Sequence, residues 1–199
     1  MRQVIFGTVL AVAVLAGWSC GGGGSSGRTA TAVPGSPTIG PAPTETPDVP
    51  AIKFPEDCGH LVSAADVSIM MGIPLRTPDA QPIEREQVVV LICKYSADGR
   101  VTQPAEQTVN VAGEGFIDAA TAQSLDADGR AKVTEQGGTY TPLTGVADEA
   151  YSFVFPNQTG VVARRGRFTA SIGIGKSLPQ PKTDAITALV LDTLARLEQ

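Results

Sequence analysis

Three cysteines and one histidine carry most of the reactive side-chain chemistry in this 199-residue chain. Cys20 stands near the N-terminus, Cys58 and Cys93 lie about 35 residues apart, and His60 follows Cys58 by two positions. Two cysteines and one histidine leave a tetrahedral metal site one protein ligand short. A catalytic histidine needs a nucleophile and an orienting carboxylate, and little near His60 could supply them. We therefore predict no metal, no cofactor and no catalytic residue.

Cys20 follows a segment that is typical of an export signal. Arg2 is the only charge among residues 1–19, and residues 4–18 are mostly apolar. A stretch of this length is too short to span about 30 Å of hydrocarbon comfortably, so we interpret residues 1–19 as a signal peptide. The residues Gly17-Trp18-Ser19-Cys20 resemble the lipobox of bacterial lipoproteins, which predicts acylation of Cys20 and cleavage before it. The alternative is an ordinary signal peptide that carries a lone cysteine.

Residues 20–51 are predicted to join this anchor to a folded domain as a disordered linker. Between residues 21 and 50, 21 of 30 positions are Gly, Ser, Thr or Pro. Such a segment has almost nothing to bury and does not fold. Its glycine-rich part is flexible and its proline-rich part extended, so it holds the domain on the order of 50 Å or more from the membrane.

Composition narrows the classes of function. About 42% of the residues are apolar, and residues 20–199 carry 14 basic and 20 acidic side chains. A net negative charge excludes a globally basic nucleic-acid-binding protein. We predict no nucleic-acid partner.

The pair Cys58 and Cys93 is predicted to form a disulfide. An exported protein meets an oxidising environment, where a disulfide is the ordinary state of two such cysteines. The alternatives are two free buried thiols or a metal pair that includes His60.

Residues 52–199 are predicted to form one α+β domain, an antiparallel sheet packed by about three helices. Helices are expected after the capping box at residues 63–66 and ending at Gly72, over residues 115–128, and over a C-terminal stretch with apolar residues at helical spacing. Strands are expected over residues 88–93 and 108–111, pairing across a turn near residues 98–99, and in a meander over residues 151–174. The segments 76–86 and 137–149 are expected to be loops, where functional surfaces usually lie.

The pattern of cysteines and helix starts resembles a bacterial family. The residues that carry the resemblance are Cys58, Ser63-Ala64-Ala65-Asp66-Val67, Gly72, Cys93-Lys94-Tyr95 and Gly145-Val146-Ala147-Asp148-Glu149-Ala150-Tyr151. They are similar to those of actinobacterial lipoproteins of unknown function, the mycobacterial Lpp/Lpq type. That resemblance implies a lipidated cysteine, a disordered spacer, an envelope location and no enzymatic activity.

Charged clusters offer weaker candidates. Arg164, Arg165 and Arg167 form a basic group in a predicted hairpin turn, which we expect to be either an anion contact or a solvated turn. Asp148 and Glu149 are adjacent, so in a strand they would face opposite sides and could not act as a carboxylate pair, and we expect them to be edge or turn residues.

Two glycine-containing motifs have structural interpretations. Gly113-Glu114-Gly115 is expected to lie between a strand and a helix, without the third glycine of a dinucleotide loop. Asp126-Ala127-Asp128-Gly129 lacks the later ligands of a calcium loop and is expected to be the C-terminal turn of a helix.

The sequence thus predicts a membrane-anchored, non-enzymatic envelope lipoprotein that binds an extracytoplasmic partner protein or envelope component. The alternative is a lipid-carrying module with an apolar cavity, and an enzyme is the weakest hypothesis. The residues expected to line the lipid cavity are Met70, Met71, Val109, Phe153, Phe155 and Leu189.

Overall fold

The chain folds into a seven-stranded antiparallel sheet packed by helices, as the α+β prediction requires. The computed structural model describes residues 52–76, 80, 82–98 and 104–199, so the predicted signal peptide, Cys20 and the linker up to residue 51 lie outside the described residues. The described helices are α1 (Cys58–Leu61), α2 (Ala64–Met71), α3 (Ala119–Glu135) and α4 (Thr183–Leu197). The strands are β1 (Ile83–Arg85), β2 (Val88–Tyr95), β3 (Val109–Phe116), β4 (Thr139–Pro142), β5 (Glu149–Val154), β6 (Gln158–Arg165) and β7 (Phe168–Gly175), with a 3₁₀ turn at Ala105–Gln107.

The strand order β1-β2-β3-β7-β6-β5-β4 joins two meanders along one seam. β2 pairs with β3 as predicted, although the predicted turn between them falls partly outside the described residues. The seam is the pairing of β3 with β7. Because β3 is in the middle of the sheet and β4 is at its edge, α3 must connect them across one face.

The other face, which we call the disulfide face, holds the larger apolar core. Its strand residues include Leu91, Cys93, Tyr95, Val109, Val111, Val161, Ala163, Ala170, Ile172 and Ile174. The predicted C-terminal helix, α4, covers them with Ile186, Val190, Leu194 and Leu197, all buried. Their spacing of four, four and three positions places them on one side of a helix, which explains why this helix is predictable from the sequence.

The short helices α1 and α2 complete this face and begin at defined caps. The Asp57 carboxylate accepts from the backbone N–H of His60 at 3.0 Å, and the Ser63 hydroxyl accepts from that of Asp66 at 3.1 Å. Gly72 ends α2 with φ of +67°, a conformation that favours glycine. The predicted helix with its cap and its stop is therefore confirmed.

The disulfide between Cys58 and Cys93 is present and ties α1 to β2. The two Cα atoms are 5.6 Å apart, and both cysteines are buried. Beside it, the buried Tyr95 hydroxyl donates to the carbonyl of Val62 at 2.5 Å. The first residues of the domain are thus held to the sheet by a covalent bond and a hydrogen bond.

The predicted helix over residues 115–128 has the wrong bounds. Gly115 and Phe116 belong to β3, while α3 starts after Asp118, whose side chain accepts from the N–H of Thr121 at 2.6 Å, and runs past Gly129 to Glu135. The glycines in β3 serve close packing and do not break the strand. A Cβ on Gly113 would lie 2.9 Å from Cδ1 of Leu61, so glycine lets α1 approach.

The two predicted loops each contain an edge strand. β1 lies within residues 76–86 and β4 within residues 137–149, and all their residues are exposed. β1 has only three residues and β4 only four, and neither buries a side chain. Segments this short carry too little of the apolar and polar alternation by which a half-buried strand is identified.

Removing the disulfide tests its contribution to stability. Replacing Cys58 and Cys93 together by Ala is expected to lower the free energy of unfolding by about 3–4 kcal/mol, because a loop of about 35 residues is no longer closed in the unfolded chain. Urea unfolding of the variant and of the oxidised wild type measures the difference. Cys20→Ala is the matched control and is expected to unfold like the wild type; an equally stable double variant would contradict the prediction.

Candidate functional site

The three arginines of the predicted basic group do not form one patch. Arg164 and Arg165 are neighbours on β6, so their side chains point to opposite faces of the sheet. Arg165 donates from Nη1 to Oε2 of Glu198 at 3.2 Å, and the guanidinium carbon of Arg167 lies 5.1 Å from the centre of the Phe168 ring. An anion bound here would therefore contact one of these arginines and not the three together.

His60 lies within α1, with its ring exposed. Its Nδ1 is 2.9 Å from Oδ1 of Asp57, and the backbone N–H of His60 is the main reason that the pKa of this carboxyl is lowered. The two nearest sulfurs are joined in the disulfide, which rules out a metal pair of Cys58 and Cys93 with His60. Among the described residues, no group of three or more His, Cys, Asp or Glu side chains is arranged to hold a metal ion.

The face of the sheet beneath α3, which we call the α3 face, carries a row of polar residues across four strands. Glu114 of β3 pairs with Thr169 of β7, and Thr169 pairs with Arg164 of β6. Arg164 in turn pairs with Glu149 of β5. We call these four residues the charged row. It separates an apolar cluster around Phe116 from another around Phe153.

Helix α3 adds a carboxylate and a guanidinium above this row. Asp126 and Arg130 are four positions apart, and Nη1 of Arg130 is 3.1 Å from Oδ2 of Asp126. The same guanidinium contacts Glu149. Asp126 is buried within the helix, so the predicted C-terminal turn at residues 126–129 is wrong. The helix continues because its next turn buries Val133.

The guanidinium of Arg164 lies close to both Asp148 and Glu149, which are adjacent in the sequence. Its Nη2 lies 3.6 Å from Oε2 of Glu149 and its Nη1 lies 3.8 Å from Oδ2 of Asp148. Asp148 precedes β5 and is outside the strand alternation, which is why both acids reach the same guanidinium. Asp148 thus lies in the bend before the strand, and the opposite orientation expected of two adjacent strand residues does not apply. The Nε of Arg164 is buried without a hydrogen-bond partner among the described residues.

Glu114 is the one acid of the charged row without a counter-ion. Within the part of the chain that the structure describes, its carboxyl makes no hydrogen bond or ion pair. It lines a cavity of about 40 Å³ together with Asp126, Tyr151, Thr169 and Ser171. Burial raises the pKa of Glu114 to about 7, and the negative charge of Asp126 adds to the shift. The carboxyl therefore exchanges its proton near neutral pH.

The neighbouring groups respond to the same environment. Burial, and then the charge of Glu149, raises the pKa of Asp126, while Arg130 opposes that change. Burial also raises the pKa of the Tyr151 hydroxyl. The acidic groups that line the cavity can bind protons, and the cavity has room for about one or a few water molecules, because each water needs about 10–15 Å³. It is too small for an acyl chain.

The residues expected to line a lipid cavity do not meet. Met71 and Val109 belong to the core of the disulfide face, against which Met70 and Leu189 pack. Phe153 and Phe155 lie in the cluster on the α3 face. The sheet separates the two sets, so they enclose no common cavity.

A second depression is an open groove at the start of the domain. Its volume is about 570 Å³, and its lining residues are Lys53, Phe54, Pro55, Gly59, His60, Arg196, Leu197 and Gln199. It combines apolar and aromatic surface with basic side chains. The sequence offered no motif for this groove, because its residues come from the two ends of the domain.

Comparison with known proteins found no relative of this chain. No protein-family model, curated protein or solved structure matches the chain. The resemblance to Lpp/Lpq-type lipoproteins therefore stays a prediction. No helix among the described residues is both long and apolar enough to cross a membrane.

Two neighbouring arginines provide a matched test of the charged row. Arg164→Leu is expected to lower the free energy of unfolding by about 2 kcal/mol, because it removes a buried guanidinium that lies near Glu149 and Asp148, although these two acids are partly exposed. Arg165→Leu removes a partly exposed ion pair and is expected to cost less than about 1 kcal/mol. Urea unfolding of both variants measures the contrast, and equal losses would contradict this description.

Proposed function

We propose that this chain is an exported, lipid-anchored, non-enzymatic envelope protein whose domain binds an extracytoplasmic partner. The observation that carries the proposal is the buried Cys58–Cys93 disulfide. Structural disulfides persist in oxidising compartments and are rare in the cytosol. The bond therefore supports the interpretation of residues 1–19 as an export signal, which rests on the sequence alone.

The anchor in this proposal is an acylated Cys20. The lipobox-like residues before it and the Gly-, Ser- and Pro-rich residues after it suit a lipid attachment followed by a spacer. Two or three acyl chains anchor a protein stably, whereas one chain binds only marginally. In this arrangement the domain acts at a distance from the membrane, which suits a partner located in the envelope.

The groove at the start of the domain is where we propose that the partner binds. Ligand sites are usually concave and mostly apolar, with a few polar groups that fix orientation. Phe54 and Leu197 supply the apolar surface and Lys53 supplies positive charge, while Arg196 lies against Asp66 and Asp192 and His60 lies against Asp57. This combination favours an acidic segment of an envelope protein or an anionic envelope component over a lipid chain.

Cell fractionation tests the anchor. The wild type is expected in the membrane fraction, resistant to high salt and released by detergent, and Cys20→Ala is expected outside that fraction because it has no site for acylation. Ser25→Ala, a change in the spacer, is the control and is expected to fractionate like the wild type. Membrane association of Cys20→Ala equal to that of the wild type would contradict the proposal.

Cross-linking in the producing cell tests the groove. A photoreactive amino acid at Phe54 is expected to give a discrete cross-linked product, because this side chain lines the groove. The matched control places it at Tyr140, which is 42% exposed on the edge strand β4. Products at Tyr140 and none at Phe54 would show that the partner binds elsewhere.

A further inference from the structure

Helix α3 is held to the sheet by fewer buried apolar side chains than α4, with the partly buried Leu125 in addition. Its buried residues are Ala122, Asp126, Gly129 and Val133, so two are small and one is an acid. Helix α4 instead buries Ile186, Val190, Thr193, Leu194 and Leu197. Since burial of apolar area is the main force that docks a helix, the charges beneath α3 weigh more in its docking than they would under α4.

Those charges do not balance. The charged groups that face one another are Glu114 on β3, Asp126 and Arg130 on α3, Asp148 and Glu149 at β5, and Arg164 on β6. The neutral hydroxyls of Tyr151, Thr169 and Ser171 lie among them, and Tyr140 of β4, which also packs against α3, contacts the Tyr151 ring. Four carboxyl groups thus share two guanidinium groups. The guanidiniums lie against Asp126, Glu149 and Asp148, and neither contacts Glu114.

The Glu114 side chain is partly exposed, and its carboxylate, which has no counter-ion, is costly only while it is ionised. A charge removed from water without a partner is destabilising, and it is neutralised by a proton more readily than it is tolerated. The cavity of about 40 Å³ beside Glu114 has room for water on the order of one or a few molecules, which is less than a full hydration shell. A second carboxylate, that of Asp126, lines the same cavity.

We propose that α3 is a proton-linked cover over the sheet, which packs onto β3, β6 and β7 while Glu114 is protonated and is released when Glu114 ionises beside Asp126. Release exposes apolar residues on both sides of the charged row, among them Phe116, Tyr151 and Val162. The disulfide face stays closed, because α4 and the Cys58–Cys93 bond hold it independently.

The direction of the pH effect follows from proton binding. Burial holds the pKa of Glu114 at about 7 in the docked state, above the value near 4.5 of a solvated glutamate. The docked state therefore binds more protons than the released state between these two values, and docking weakens as the pH rises through this window. Asp126, whose pKa is also raised by burial, acts in the same direction.

Hydrogen exchange of the full, oxidised chain tests the proposal. Amide protection of α3, corrected for intrinsic exchange, is expected to fall by about 10- to 100-fold between about pH 5.5 and about pH 8.5, while that of α4 changes much less. Equal protection of α3 at both pH values would overturn the proposal. So would a parallel loss in α3 and α4, because that would be global unfolding.

Glu114→Gln separates the carboxyl from the rest of the helix. Gln has nearly the same size and cannot ionise, so α3 in this variant is expected to be equally protected at both pH values. Glu135→Gln, at the exposed end of the same helix, is the matched control and is expected to keep the wild-type pH dependence. A pH dependence in Glu114→Gln that equals that of the wild type would overturn the proposal.

The proposal stays testable if Glu114→Gln does not fold. The comparison of the wild type at two pH values needs no variant. Asp126→Asn removes the neighbouring negative charge, so it is expected to reduce the pH effect on α3. An effect of unchanged size in Asp126→Asn would contradict the part assigned to Asp126.

Discussion

The Cys58–Cys93 disulfide is the interaction on which the N-terminal part of the domain depends. Helix α1 has four residues and α2 has eight, and isolated helices of this length are not stable in water. The disulfide holds α1 against β2, and the hydrogen bond from Tyr95 to Val62 holds the link between the two helices. The same bond connects the fold to the proposed location, because an oxidising compartment preserves it.

The two faces of the sheet are covered by helices that make different kinds of contact. On the disulfide face, branched apolar side chains of four strands meet the apolar side of α4. On the α3 face, the charged row interrupts the apolar contacts, and α3 approaches through Ala122 and Gly129. A Cβ on Gly129 would lie 3.7 Å from the Tyr151 hydroxyl oxygen, an ordinary contact, so the side chain nearest to Gly129 ends in a polar atom. One face is therefore fixed by packing, while the other depends on the state of its charges.

Much of the fold could be predicted because its central elements repeat a simple period. The apolar run in β2, the alternation in β7 and the helical spacing in α4 each follow from the layer that the residues contact. The edge strands β1 and β4 could not be predicted, since they have three and four residues, all exposed, and too little pattern to identify a strand. Gly115 and Gly129 misled the assignment of α3, because a glycine can serve close packing as well as end an element.

The charged row could be predicted only in part. In β3, Ala112, Glu114 and Phe116 share one face by alternation, so an acid between two buried residues was a visible signal. Which residues lie beside Glu114 depends on the register between β3, β7, β6 and β5. A single sequence does not reveal that register. Arg164, Arg165 and Arg167 were expected to form one basic group because they are close in sequence. Consecutive residues of a strand point to opposite faces, so closeness in sequence does not bring these side chains together.

The intact mass of the protein, isolated from membranes of the cell that produces it, tests the central claim most directly. Thiol alkylation before and after reduction shows the state of the cysteines, and the mass of the N-terminal residue shows acylation. The account predicts acyl chains on Cys20 as the first residue and two thiols that react only after reduction. An unprocessed, unacylated chain whose Cys58 and Cys93 react without reduction would contradict it.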